Sequence, residues 1–255
     1  MRSFIASLGT LKNFRAKCFF KKFLYLGSFY LFLVISSCLM AEDTRSVQER
    51  MRAIRQFTLS SQHVMRFELL SKDRTLSGEL QSRVLSDSQN EIILRLFLTG
   101  NQEIKFNKFC PQTPLLNQCP YPIDHWLEPI VPEAPGCCYL MMAMPFLNWN
   151  LVKFERTAKR GRKALRCYFS APADFIKVRQ VVVYIDENFN TIMEAIAYDD
   201  KNAICAQFSL QSLKKFGEGH WYLKSATFQR AGSLTKMLIR SIKLLEGDKW
   251  VSYVL

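Results

Sequence analysis

The residues of this chain that could do chemistry are above all its eight cysteines and three histidines. His63, His125 and His220 are far apart, and no Cys-x-x-Cys pair accompanies them, so the spacing does not indicate a metal site. No Gly-x-Ser-x-Gly, His-Glu-x-x-His or phosphate-binding glycine loop is present. Asp124 and His125 are adjacent in a proline-rich loop, where neighbouring side chains point in different directions. The sequence therefore predicts a protein that is not an enzyme and uses no metal or cofactor.

The N-terminal segment has the order of an export signal. Residues 1–37 carry six lysines and arginines and no acid, and the chain is uncharged and mostly apolar from Phe23 to Ala41. A basic head, an apolar core and small residues are typical of a signal peptide. We therefore expect the rest of the chain to work outside the cytoplasm, where nucleic acid is not an expected partner.

Cys38 follows this segment directly. Ile35-Ser36-Ser37-Cys38 resembles the lipobox of bacterial lipoprotein precursors, in which a branched aliphatic residue and two small residues precede a cysteine. The resemblance implies a signal peptide (1–37), lipid attachment at Cys38 with a short tether (38–41), and a mature domain (42–255). Two alternatives remain open. The segment could be an uncleaved membrane anchor, since nineteen uncharged residues approach the roughly 20 that span a bilayer. Ordinary signal peptidase could also release the domain.

Length and charge limit what the mature part of the chain can be. About 218 residues are enough for one domain with its own core. The chain carries a net charge of +13, and the leader accounts for six of these charges, so the domain stays basic. Such a surplus on an exported protein either favours anionic partners such as lipid headgroups or is simply a generic basic surface.

Six cysteines lie outside the leader and Cys38, at positions 110, 119, 137, 138, 167 and 205. An even number in an oxidising compartment favours disulfides, but the pairing is not determined by the sequence. Cys110 and Cys119 could close a loop, and adjacent Cys137 and Cys138 would pair more easily with other cysteines than with each other. Cys167 and Cys205 fall in predicted strands, where cysteine also serves as a small buried hydrophobe.

The elements that would position these residues are mostly strands. Apolar residues at helical spacing predict one amphipathic helix over residues 42–60. Alternating patterns separated by Asn, Asp and Gly turns predict about ten antiparallel strands. They are Val64–Leu70, Leu76–Val84, Glu91–Leu98, Glu103–Phe109, Leu165–Ser170, Val178–Ile185, Thr191–Tyr198, Ala203–Leu213, Gly219–Gln229 and Leu234–Leu245.

Residues 110–138 interrupt the strands with a long loop rich in proline and cysteine. Seven of the nine prolines lie there, so neither regular helix nor central strand is possible. Loops of this length in compact domains are usually lids or binding loops.

An apolar group follows this loop: Met141, Met142, Met144, Phe146 and Trp149. These residues could be ordinary core. Methionine also adapts its shape to variable apolar ligands, and a curved sheet with a helix on its concave side can hold an acyl chain. We therefore take these five residues as candidates for the rim of a ligand cavity.

Basic residues cluster in Lys159-Arg160-Gly161-Arg162-Lys163, between predicted strands. The cluster is either a solvated hairpin tip or a contact with anionic headgroups.

The C-terminal half resembles the outer-membrane lipoprotein-sorting proteins, which are related to the LolA/LolB-type lipoprotein carriers. The resemblance covers residues 144–246 and rests on the order and spacing of several segments. These are Met144–Trp149, Arg162–Pro172, Val181–Asp186, Met193–Asp199, Leu213–Gly217 and His220–Leu223. It implies a mainly β (α+β) fold, a half-open antiparallel β-barrel with helices covering its concave face.

The resemblance also implies a function without covalent chemistry. We expect a membrane-anchored, periplasm-facing module at the outer membrane that binds lipid acyl chains or lipoproteins. Since the soluble carriers lack a lipid anchor, a chain anchored through Cys38 would be more like the membrane-bound receptor. The alternative is an envelope-stress sensor or regulatory partner with the same fold that binds protein.

Overall fold

A computed structural model describes residues 47, 49, 63–72, 74–86, 89–97, 102–109, 122–216, 220–246 and 249–254. The chain divides into two compact units, residues 1–52 and 53–255. In the first unit, Val47 and Glu49 are helical, at positions that fall in the predicted helix. The leader, Cys38, the remainder of that helix and residues 110–121 of the predicted loop lie outside the described residues. None of the helices in the described part has the length and apolarity required to cross a membrane.

The described residues of the second unit form twelve strands, with short helical turns between the fourth and the fifth. Their bounds are β1 His63–Leu70, β2 Thr75–Ser86, β3 Gln89–Phe97, β4 Gln102–Phe109, β5 Asn150–Lys159, β6 Arg162–Ser170, β7 Gln180–Asp186, β8 Thr191–Tyr198, β9 Ile204–Phe216, β10 His220–Arg230, β11 Ser233–Glu246 and β12 Lys249–Val254.

All twelve strands belong to one antiparallel sheet. The order is β4-β3-β2-β1-β11-β10-β9-β8-β7-β6-β5, so a meander runs from β5 to β11 and the four N-terminal strands join the far side of β11. The hydrogen-bonded path of the described strands ends at β4 and β5, which leaves the sheet open. The half-open antiparallel barrel predicted from the sequence is therefore confirmed.

Strand β11 changes its partner along one side. Ser233–Leu238 pairs with β10, whereas Ser241–Glu246 pairs with β12. The change coincides with a register shift in β10 near Leu223 and Ser225; beyond this shift β10 remains paired with β9. β12 therefore pairs with the part of β11 that is not paired with β10.

Two of these strands were not predicted. β5 carries Lys153, Glu155 and Arg156 among its apolar residues, and this charge breaks the alternating pattern by which strands are recognised. Its position at the edge explains the charge, because charged side chains protect an open edge from pairing with other chains. β12 is a short strand that pairs only with β11.

One face of the sheet is mainly apolar among the residues whose side chains are described. Residues directly opposite one another on neighbouring strands share a face, and the strand registers align one continuous set of buried side chains. The set comprises Phe67, Leu69, Leu76, Leu165, Cys167, Phe169, Val181, Val183, Ile185, Ala195, Ala197, Ala206, Phe208, Ala226, Phe228 and Met237. We call this surface the apolar face. Cys167 is fully buried in it, as expected of a small hydrophobe.

Candidate functional site

The apolar face is covered by residues 122–149, which we call the cover segment. It contains a 3₁₀ turn (Ile123–His125), one short α-helix (α1, Tyr139–Ala143) and a second 3₁₀ turn (Pro145–Asn148). α1 ends at Ala143 and is followed by Met144, whose φ of 51° is left-handed, and then by Pro145. A left-handed residue stops a helix, and a proline after it cannot continue the same helix. The local sequence therefore makes this cover irregular.

Gly136 brings the cover segment against the sheet. Its amide donates to the buried Oγ1 of Thr235 at 3.0 Å. A Cβ at this position would lie 2.5 Å from the carbonyl oxygen of Phe228 and 2.6 Å from the amide of Thr235. Only glycine allows this close approach. Beside it, the guanidinium of Arg230 donates to the carbonyl of Pro135 at 3.1 Å.

Hydrogen bonds within the cover segment join its turns to one another. The amide of Ile130 donates to Cys137, and the amide of Leu140 donates to Trp126, both at 3.0 Å. At the edge of the cover segment, the ammonium of Lys177 donates to the carbonyl of Asp124 at 2.7 Å. Among the described residues, the backbone hydrogen bonds of the cover thus run within the segment, whereas those of the sheet run continuously from strand to strand.

Aromatic side chains fill the space around Trp126, which is 1% exposed. Its ring centroid lies 5.5 Å from those of Tyr139 and Phe175 and 6.4 Å from that of Trp149, with which it stacks. Phe146 contacts Trp149 edge-on at 6.3 Å. The sequence analysis missed Trp126, Tyr139 and Phe175. The available signal was Trp126, because a large aromatic residue in a proline-rich loop is expected to pack against another part of the protein.

The five predicted rim residues all lie in the cover segment, but not in one environment. Met141 and Phe146 are fully buried, whereas Met142, Met144 and Trp149 are partly exposed. Phe146 and Trp149 are brought into contact. The group therefore runs from the interior to the surface at one end of the cover.

Asp124 and His125 do not form a pair. His125 Nδ1 instead lies 2.6 Å from a carboxylate oxygen of Glu128, one turn along the chain. Both side chains are about half exposed, at 51% and 53%, and the contact with His125 lowers the pKa of Glu128. An exposed pair of this kind has the setting of a surface ion pair, with water competing for both groups. In the described part of the chain, no three His, Cys, Asp or Glu side chains come together as metal ligands.

The four described cysteines are free thiols. Cys137 and Cys138 lie in the cover segment, where burial raises the pKa of both, that of Cys138 to about 11. Burial also raises the pKa of Cys167, to about 12. The pKa of the half-buried Cys205 is raised for the same reason. The disulfides favoured by the even cysteine count therefore do not involve these four residues. Cys110 and Cys119 lie outside the described residues.

The basic cluster forms the turn between β5 and β6, with Arg160 and Gly161 both at positive φ. It is partly neutralised within the protein. Lys159 forms an ion pair with the buried Glu194, and Arg162 contacts the fully buried Asp186 at 3.0 Å. The guanidinium of Arg160 donates to the carbonyl of Leu210.

Comparison with solved structures identifies the fold. An outer membrane lipoprotein-sorting protein domain from Vibrio parahaemolyticus superposes with a TM-score of 0.55 at 12% identity, over 80% of this chain and 92% of that one. A DUF1329 family protein from Desulfovibrio piger gives 0.56 at 11% identity, over 80% and 94%. The fold is that of the outer-membrane lipoprotein-sorting domains. A LolA superfamily protein from Nitrosomonas europaea is less similar, with a TM-score of 0.45 at 10% identity, over 79% and 93%.

These likenesses confirm the fold that the segments between residues 144 and 246 predicted. They extend it over four fifths of the chain, including strands for which the sequence resemblance was looser. No protein-family model and no curated protein match the sequence. At such low identity, what is shared is the fold.

Proposed function

We propose that this protein is a non-catalytic binding module of the bacterial cell envelope. Its ligand is the acyl chain of a lipid or lipoprotein, and its place is the periplasmic side of the outer membrane, held by a lipid on Cys38. The domain then receives its cargo at a membrane and does not ferry it. The exported, basic character of the sequence and the shared fold with a lipoprotein-sorting domain both support this assignment.

The observation that carries the proposal is the combination of a continuous apolar face with an irregular cover. The face would otherwise be closed by a second sheet or long helices. Among the described residues, contacts such as those of Gly136 and Arg230 join the cover segment to the sheet. Its described backbone hydrogen bonds run within the segment, so the cover can move without breaking a strand ladder, and each methylene of an acyl chain that replaces it gains ~0.8 kcal/mol.

The end of the cover segment supplies the entrance. Met142, Met144 and Trp149 are partly exposed there, and flexible thioethers and an aromatic ring accommodate acyl chains of different shape. Met141 and Phe146 continue the same group into the interior. An acyl chain would meet the three outer residues first and the two inner residues as the cover moves.

Photo-crosslinking tests the proposal. Benzoylphenylalanine replaces Trp149 in the full chain, which is expressed in a Gram-negative host and purified in mild detergent so that no bilayer is present. The control carries the same group at Leu234, which is 56% exposed and lies on the sheet face opposite the apolar one. We expect adducts with acyl chains to be several-fold more abundant at position 149.

Equal labelling at both positions would overturn the ligand site. Adducts between position 149 and a protein, without acyl chains, would instead support the regulatory role.

A further inference from the structure

One end of the sheet gathers several hairpin turns. In a meander every second connection lies at the same end, so the β5–β6 turn, the β7–β8 turn and the paired ends of β9 and β10 are neighbours. The contact between Phe189 of the β7–β8 turn and Trp221 of β10 confirms this arrangement. We call this region the basic tip surface and define it as residues 156–163, 186–190, 211–215 and 221–224.

The basic tip surface carries a clear surplus of positive charge. Within these described ranges eight lysines and arginines accompany only two acids, Asp186 and Glu187. The two acids contact Arg162 and Arg156, at 3.0 and 3.9 Å, and Lys159 is paired with Glu194, which lies outside these ranges. Lys163, Lys215 and Lys224 are exposed and add to the surplus, which no nearby acid within these ranges offsets.

Two exposed aromatic side chains stand in the middle of this charge. Phe189 is 40% exposed and Trp221 is 43% exposed, and their ring centroids lie 5.7 Å apart at 69°. The guanidinium of Arg162 lies 4.7 Å from the Phe189 ring, and Lys215 is directly opposite Trp221 on β9.

Asp186 holds Phe189 and Arg162 in this arrangement. One of its carboxylate oxygens accepts the amides of Asn188 and Phe189 at 2.9 and 3.1 Å, a turn that aspartate forms with its own backbone. The other oxygen faces Arg162, whose guanidinium also covers Phe189. The exposed ring is therefore held in place by an ion pair whose carboxylate is buried and whose guanidinium is partly exposed.

We propose that the basic tip surface docks on an anionic lipid bilayer. Tryptophan favours the membrane–water boundary, and lysine and arginine stems extend along apolar surface to reach headgroups. Each such cation near an anionic surface contributes ~1 kcal/mol. Two aromatic rings are too small for the apolar centre of a stable protein interface, which buries roughly 1,200 Å² or more. They suit insertion at the level of the headgroups.

This proposal is independent of the acyl-chain site, and a site-specific experiment separates the two. The full chain with benzoylphenylalanine at Phe189 is reconstituted into phosphatidylcholine vesicles with and without phosphatidylglycerol. The matched position is Ile176, which is 80% exposed in the β6–β7 connection at the other end of the sheet. Because every variant has the same N-terminus, tethering to the vesicle is constant.

We expect lipid adducts at Phe189 to be several-fold more abundant in the anionic vesicles and to remain weak at Ile176 in both. The charge variant Lys163→Glu with Lys215→Glu should reduce the adducts at Phe189 several-fold, since ~1 kcal/mol for a cation corresponds to about fivefold in docking. Lys201→Glu, in the β8–β9 turn, is the control and should leave them unchanged.

Equal labelling at Phe189 and Ile176 would overturn the proposal. Labelling at Phe189 that is the same with and without phosphatidylglycerol would also overturn it. Crosslinking of Phe189 to an envelope protein in cells, with no lipid adducts, would assign the surface to an acidic protein partner instead. Neither result would bear on labelling at Trp149 in detergent, so the two proposals can fail separately.

Discussion

At the scale of single residues, the approach of the cover segment to the sheet depends on the absence of a side chain at Gly136. The Gly136→Ala variant would place a methyl group 2.5 Å from the Phe228 carbonyl and weaken the bond to Thr235. We expect it to lower the free energy of unfolding by about 3 kcal/mol, through overpacking and a displaced buried hydrogen bond.

Gly232→Ala provides the comparison for this prediction. Gly232 has a φ of +76° with open space around it, so alanine there adds only backbone strain of about 1 kcal/mol. Urea denaturation of both variants measures the difference. Equal losses would show that the contact at Gly136 is not what closes the cover.

The thiols give a second prediction at this scale. Burial raises the pKa of Cys138 to about 11 and that of Cys167 to about 12, so few thiolates form at pH 8. Cys205 is half-buried at the start of β9. Among the four described cysteines we expect iodoacetamide to modify Cys205 first, as followed by peptide mass spectrometry. In denaturant all four should react at similar rates, and early labelling of Cys138 in the native protein would contradict the packed cover.

At the scale of elements, β11 joins the two halves of the sheet, because it pairs with β1 on one side and with β10 and β12 on the other. An ion pair reinforces the β1–β11 junction. Arg240 donates to Glu68, and this hydrogen bond lowers the pKa of that carboxyl below its ordinary value. A carboxyl with a lowered pKa in the folded state contributes stability above its unfolded pKa and loses it as the pH falls through the folded pKa.

Glu68→Gln should therefore reduce the denaturant midpoint slightly at pH 7, and this reduction should shrink when it is measured at a pH below the lowered, folded-state pKa of Glu68. The loss should also shrink in 1 M salt, because a partly exposed pair is screened. Arg240→Gln is the matched variant, and the double variant should lose no more than either single one. A loss of the same size at both pH values would mean that the charge of Glu68 does not contribute.

At the scale of the whole molecule, the open sheet, its irregular cover and the basic tip surface agree with the proposed role beside a membrane. The proposed lipid on Cys38 would keep it there. We expect the mature wild-type protein, expressed in a Gram-negative host, to sediment with membranes and to carry a diacylglyceryl mass on Cys38. Cys38→Ala should lack that mass.

Mass spectrometry of the intact N-terminus separates the alternatives. A chain that begins at Met1 would indicate an uncleaved anchor. A soluble product cut at another residue would indicate simple secretion.

The sequence alone predicted most of the sheet. Its strands follow from a local pattern, since alternating apolar residues and Asn, Asp or Gly turns require no distant information. β6 to β11 were predicted for this reason. β5 was missed because the charge that protects an edge also hides the pattern, and only the strand order reveals that β5 is an edge.

The tertiary structure decided which residues meet. The five rim candidates were identified by type and spacing, but their burial depends on where the cover segment lies, so Met141 became core while Met142 remained at the surface. Trp126 with Phe175, and Phe189 with Trp221, are distant in sequence and come together only when the sheet forms. Local patterns determine the secondary-structure elements. Contacts between those elements depend on strand register and topology, which cannot be read from a single sequence.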